Sequence, residues 1–290
     1  LALSLVPAWS GDDPERAKLG ESLFFDVNLS KDRTQACSTC HAPDHAFTDP
    51  RETTAGRAAS LGDDGTSLGD RNAPTAAYAS FAPVFGRNAK GRWAGGQFHD
   101  GREPDLEGQA GGPPLNPLEM GMPSKSAVVG RLRENPDYVS RFQKIFGKDV
   151  FADDERAYAA MTQAIAAFER TPLFQPFDSK YDRALRGEYD LTEEEELGRV
   201  LFFSNQFTNC SKCHQLQPLA GAEGETFSNY EFHNIGVPVN AELRAVNSLP
   251  TSHVDGGLLE NAAVGGDPAQ KGKFKTPTLR NVAVTAPYMH

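Results

Sequence analysis

"CSTCHAPDHAFTDP" at residues 37–50 sets two cysteines three positions apart, a histidine directly after the second, and another histidine at position 45. The arrangement returns as "CSKCH" at 210–214, and these two clusters hold all four cysteines of the chain. A disulfide framework would scatter its cysteines, a zinc knuckle needs four ligands close together, and a dithiol redox motif has no use for a trailing histidine in both copies. C-x-x-C-H repeated twice instead reads as covalent c-type haem attachment. Cys37 and Cys40, then Cys210 and Cys213, form thioethers, and His41 and His214 ligate iron.

The flanks repeat as well. "LGESLFFDVNLSKDRTQACSTCH" at 19–41 is echoed by "LGRVLFFSNQFTNCSKCH" at 197–214, with five fewer residues between Phe-Phe and the first cysteine. Each copy is predicted to open with a helix: Asp13 and Pro14 supply an N-cap and first-turn proline, and Thr192 with Glu195 supplies a capping box. Each helix brings a Leu-Phe-Phe cluster suited to packing against a haem face. Between the copies, 124–146 and 153–171 carry helical periodicity, and the stripe Tyr158, Met161, Ile165 and Phe168 reads as core. Residues 55–75, 101–124 and 217–275 are rich in Gly, Pro, Asn and Asp, as long functional loops are. Strand signals such as "EFHNIGVPV" are short. The expected fold is therefore mainly α, two cytochrome-c-like haem domains with long loops and few short strands. Their expected bounds are 12–185 and 186–290, the second truncated at its C-terminal end.

The chain's 290 residues have room for two cores, and 39% apolar content is ordinary for a globular protein. A net charge of −10 without any basic run argues against nucleic acid or an anionic membrane and suits a basic partner protein. "LALSLVPAWSG" at 1–11 is too short to span a bilayer and fits the stub of a secretory signal, so no membrane span is expected. With covalent haem, that points to the bacterial periplasm.

Four further stretches complete a set: "RNAPT" at 71–75, "FHDGREPDLEGQAGGPPLNPLEMG" at 98–121, "FHNIGVP" at 232–238 and "FKTPTLRNVAVTAPYMH" at 274–290. In this order with the two haem motifs, the chain resembles the bacterial di-haem cytochrome c peroxidase superfamily, which includes the MauG-type enzymes. The resemblance implies two haem c groups, the N-terminal one meeting hydrogen peroxide and the C-terminal one storing or admitting electrons, with a protein electron donor or protein substrate. It makes His41 and His214 the proximal ligands. Glu119 becomes the acid/base carboxylate over the peroxide face, with the Gln109 amide beside it. Cleaving iron-bound peroxide requires a proton moved from its inner to its outer oxygen, which such a carboxylate can do. Calcium is implied too, held by the Asn72 side chain and the Thr285 and Pro287 carbonyls, an all-oxygen set suited to a hard cation.

Departures from the family pattern sharpen the expectation. Peroxidases needing reductive activation carry a distal histidine just before "RNAPT", yet "RETTAGRAASLGDDGTSLGD" at 51–70 has none, and the matching position falls near Asp64. His45 follows His41 too closely to reach the opposite porphyrin face and reads as a propionate or surface contact. The distal face of the first haem is thus expected to be open, as in the MauG-type branch. His99 stands where the family places an inter-haem tryptophan. Either tunnelling suffices, or Trp93 takes the role, or inter-haem communication differs; His99 reads equally as a propionate partner. The distal ligand of the second haem, methionine in peroxidases and tyrosine in the MauG type, falls beyond His290, and Met289 matches a structural position. The leading expectation is a di-haem oxidoreductase that uses peroxide to oxidise a protein partner, with side-chain modification as the MauG-type outcome. The alternatives are a peroxidase fed by a small cytochrome or cupredoxin, and a non-catalytic di-haem electron carrier.

Overall fold

The computed structural model describes residues 13–247 and 249–289. The leader-like stretch at 1–11 and His290 lie outside the described residues. The fold is mainly helical with few short strands. Helices α1 (Pro14–Phe24), α2 (Cys37–Cys40), α3 (Leu106–Ala110), α4 (Lys125–Arg133), α5 (Pro136–Phe146), α6 (Asp154–Glu169), α7 (Lys180–Leu185), α8 (Glu193–Phe203) and α9 (Ala241–Val246) are joined by long irregular connections. Strands β1 (Gly86–Arg87) and β2 (Trp93–Ala94) pair antiparallel, as do β3 (Phe232–His233) and β4 (Phe274–Lys275).

The caps fall where the sequence puts them. Asp13 accepts from the Arg16 amide at 2.9 Å ahead of Pro14. Thr192 Oγ1 accepts from the Glu195 amide at 3.2 Å while Glu195 accepts from the Thr192 amide at 3.0 Å, a reciprocal box. The periodic stretch 124–146 is two helices, because Asn135 caps a new one whose first residue is Pro136.

α6 is the spine of the larger core. Its Tyr158, Met161, Ile165 and Phe168 are buried with Leu19, Leu23 and Phe24 of α1, and Phe24, Phe168 and Phe174 meet edge-to-face at 5.1–5.6 Å. The α1–α6 contact is close enough that a Cβ on Gly20 would sit 1.8 Å from the Ala164 carbonyl oxygen. The duplicated helix has a different fate. Gly198 of α8 has open space around it, and Leu197 is 58% exposed where its counterpart Leu19 is fully buried. A smaller core joins Phe232, Leu258 and Val264 to Phe85 and Trp93.

These two cores interlock through residues 83–100. The Gly95 amide donates to Tyr230 O at 2.9 Å, the Lys275 amide to His99 O at 2.8 Å, and Ala94 bridges Glu231. Arg280 adds a buried pin: its Nη1 and Nη2 donate to Asp182 of α7 at 2.5 and 2.9 Å, its Nε to Glu225 O at 2.7 Å, and its guanidinium lies over Phe177 and Phe227 at 4.7 and 5.2 Å. Removing one member of a buried pair leaves the other charge uncompensated. Arg280→Met is therefore expected to lower stability by about 3–5 kcal/mol in urea unfolding of the intact protein, and adding Asp182→Leu to recover most of it.

Candidate functional site

Both C-x-x-C-H motifs orient their histidine in the same way. α2 is a single turn, with His41 as its C-cap and the His41 amide donating to Cys37 O at 3.0 Å. The chain then doubles back through Ala46 and Phe47, both with positive φ, and Phe47 O comes within 3.1 Å of His41 Nδ1. In the second motif the turn Cys210–Lys212 leads to His214, whose Nδ1 lies 3.1 Å from the carbonyl of Phe227, again at positive φ. A carbonyl can only accept, so each Nδ1 carries the proton and each Nε2 keeps its lone pair for a metal. Burial holds the His41 pKa below the ordinary histidine value, which keeps the ring neutral. The loop between His214 and Phe227 is tied by Glu225, a buried carboxylate accepting from the amides of Leu216, Gln217 and Phe227 at 2.8, 2.9 and 2.7 Å.

The donor sets fit haem at both motifs. At the second, Cys210, Cys213 and His214 line a cavity of about 950 Å3 with mostly apolar neighbours such as Ile235, Val237 and Leu279. At the first, burial pushes the thiols up, Cys40 to about 12, so both stay protonated, the form expected of buried thiols.

Glu119 belongs to the first motif's surroundings. Its charge is close enough to both Cys37 and Cys40 to add to their shifts. Its Oε1 accepts from Asn116 Nδ2 at 2.9 Å, and burial raises its own pKa against the opposing pull of Arg102. The loop that carries it is tightly wound: Met120 N–H reaches Pro113 O, Gly121 N–H reaches Asn116 O and Met122 N–H reaches Pro114 O. Gln109 lies half-buried on α3, just ahead of that loop.

The segment 61–68 closes against the same loop. Leu61 bridges Leu68, the Asp63 amide donates to Glu119 O at 2.7 Å, and a Cβ on Gly62 would come within 2.8 Å of Leu118 O. Asp63 is pinned from behind, its carboxylate taking the Asp32 amide at 2.5 Å and the Thr34 hydroxyl at 2.5 Å. Asp64 faces solvent, where the Thr66 and Ser67 amides and the Ser67 hydroxyl hold its carboxyl well below the usual range. His45 is on the surface, 3.9 Å from Asp44.

His99, Asn72, Thr285 and Pro287 all line the cavity at His214, as does Met289, which is 53% exposed. His99 Nε2 lies 2.9 Å from Asn72 O, and Asn72 Nδ2 donates to Arg57 O at 3.0 Å, which leaves the Asn72 side-chain oxygen for another partner. Trp93 is elsewhere: it stacks on Phe85 at 5.1 Å beneath the Arg87 guanidinium at 4.3 Å and does not line the cavity. Next to Asn72 runs an ion-pair chain in which Arg71 meets Asp100 and Asp255 at 2.6 Å each, and Asp100 also takes Arg102 at 3.0 Å.

Residues 14–190 match the family model described as di-haem cytochrome c peroxidase. The chain belongs to the di-haem cytochrome c peroxidase family. It is 53% identical over 278 residues to the methylamine utilization protein MauG of Paracoccus denitrificans, covering 96% of this chain and 71% of that one. It is 33% identical to the cytochrome c peroxidase Ccp of Escherichia coli, spanning 98% of this chain and about half (52%) of the relative. The diheme peroxidase BthA of Burkholderia thailandensis superposes with a TM-score of 0.87 at 32% identity, covering 96% of this chain and 68% of that one. The chain is accordingly a MauG-like or di-haem peroxidase oxidoreductase, and its family implies two haem c groups.

Sequence reasoning missed Glu169. This last residue of α6 is buried close to Cys37, and burial, against the opposing pull of Arg170, pushes its carboxyl up to about 8. No motif marks it; only the Tyr158 stripe, extended by one residue, places it near the core. Protonated in the fold and ionised from about 4.5 upward in the unfolded chain, Glu169 favours the folded state below pH 4.5, and that contribution is lost as pH rises through about 8. Wild-type stability relative to Glu169→Gln is expected to fall between these limits with a slope approaching about 1.4 kcal/mol per pH unit, read from urea midpoints.

Proposed function

We propose that the chain uses hydrogen peroxide at the haem held by Cys37, Cys40 and His41 to draw electrons from a protein partner, the second haem at Cys210, Cys213 and His214 sharing the oxidising equivalents. The observation that carries this reading is the closed 61–68 loop. With Asp64 turned outward and no histidine anywhere in 51–70, that segment has no imidazole to set on the face beside Glu119, which supports access for peroxide without prior reduction. Haem, when bound, supplies the redox chemistry. Around it, Glu119 is held by Asn116 and burial raises its pKa, which makes its ionised carboxylate a stronger base: that form can take the proton from peroxide's inner oxygen, and the acid so formed can return it to the outer one. Gln109 completes the polar side of that face.

The two haem-bearing units, 12–185 and 186–290, meet across the segment 83–100. Between them Asn72, Thr285 and Pro287 take a calcium ion through oxygen atoms. His99 is the residue between the haem sites: its ring bridges to the Asn72 carbonyl and it lines the second haem's cavity, while Trp93 is committed to Phe85 and Arg87. The partner's side chain is itself the substrate, in keeping with the likeness to the methylamine utilization protein. The periplasm is the compartment, since haem is attached there through thioethers.

Mixing the oxidised, haem-loaded protein with a few equivalents of peroxide in a stopped-flow instrument is expected to change the Soret spectrum without any reductant. Glu119→Gln should slow that change by about 10²–10⁴-fold. No change until the protein is first reduced, or rapid steady peroxide consumption with reduced cytochrome c, would contradict the proposal.

A further inference from the structure

The cavity at His214 carries a chemistry that its cysteines and histidine do not use. Arg244, on α9, is only 4% exposed and lines that cavity. Its Nη2 donates to Asp70 O at 2.9 Å, but its Nε and Nη1 are buried and have no hydrogen-bond partner among the described residues. A guanidinium taken out of water with two donor groups unmet calls for an acceptor, and its planar fork matches a carboxylate. Lys275 lines the same cavity from β4, its ammonium donating to Gly96 O. Burial, against the weaker opposing pull of Asp100, holds that ammonium below the ordinary lysine value, at about 8, so it too would gain from an anion.

Haem brings such anions. Its porphyrin carries two propionates on an edge away from the vinyl carbons that cysteines capture. With Cys210 and Cys213 fixing the vinyl side, the propionate edge must fall on another part of the wall. We propose that Arg244, seconded by Lys275, is the carboxylate clamp for the propionates of the haem attached at Cys210 and Cys213. The clamp rests on the reading of that cavity as a haem site and adds what holds the haem's other edge. Both cations are anchored on carbonyls of the N-terminal half, Asp70 O and Gly96 O, so the clamp also ties this haem to the seam between the two cores. A cation beside the propionates opposes the extra positive charge of the ferric state, so it raises this haem's reduction potential.

The test is a potentiometric titration of the full, haem-loaded chain, followed at the signals of each haem, with propionate bending modes read by resonance Raman. Arg244→Gln should shift the ferric/ferrous equilibrium of the second haem about tenfold toward ferric, a fall of about 59 mV for one electron, and alter its propionate modes. Arg244→Lys should retain most of the potential, and Lys275→Met should lower it in the same direction. An unchanged second-haem potential and unchanged propionate modes in Arg244→Gln would overturn the clamp. If that variant does not fold, an unchanged second-haem potential with unchanged propionate modes in Lys275→Met overturns it. A pyridine haemochrome assay separates the two readings: a wild-type chain with only one covalent haem overturns the haem site and the clamp together, whereas two haems with unmoved potentials overturn the clamp alone.

Discussion

Two hydrogen bonds organise the chemistry of this chain: His41 Nδ1 to Phe47 O and His214 Nδ1 to Phe227 O. Each fixes a tautomer, turns a ring and leaves one nitrogen for iron. Neither is a consequence of the C-x-x-C-H motif itself. Each depends on a backbone reversal that puts a phenylalanine into the left-handed region, a conformation L-residues adopt only when surrounding structure dictates it. In the first copy the reversal takes six residues and is closed by the Ala42–Thr48 bridge. In the second it takes thirteen and needs the Glu225 carboxylate to gather three amides.

The same loops join the halves. Arg280 holds Glu225 O and Asp182 together beneath the Phe177 and Phe227 rings, so the support behind His214 is continuous with the helix that leaves the larger core. Arg71 does the equivalent on the other side, linking Asp100 to Asp255 one residue before Asn72. Both sets of ion pairs are buried, so solvent screens them only weakly.

Much of this was legible in the residues. The paired motifs, both helix caps and the Tyr158 stripe all identify themselves by local chemistry, because caps and periodicity depend on neighbours in sequence. The empty histidine position near Asp64 was legible too, although its outward Asx turn was not. What could not be read depends on tertiary company. "LGESLFF" and "LGRVLFF" look alike, yet α6 covers only the first, so Leu19 and Leu197 end in opposite environments. That Trp93 is stacked against Phe85 could not be read from its neighbours in sequence. Glu169, Asp182 and Arg244 carry no motif, and Arg280 lies in one that assigns it no role; the importance of all four comes from burial far from water, which a charged letter in a sequence does not reveal.

The proposed peroxide chemistry converges on one coordination position, opposite His41 and beneath Glu119. Low-temperature EPR of the resting ferric, haem-loaded protein addresses it directly. The account requires a high-spin ferric signal from the haem at His41, with no second protein side chain on its iron. A low-spin spectrum in which both haems carry two protein ligands would contradict it.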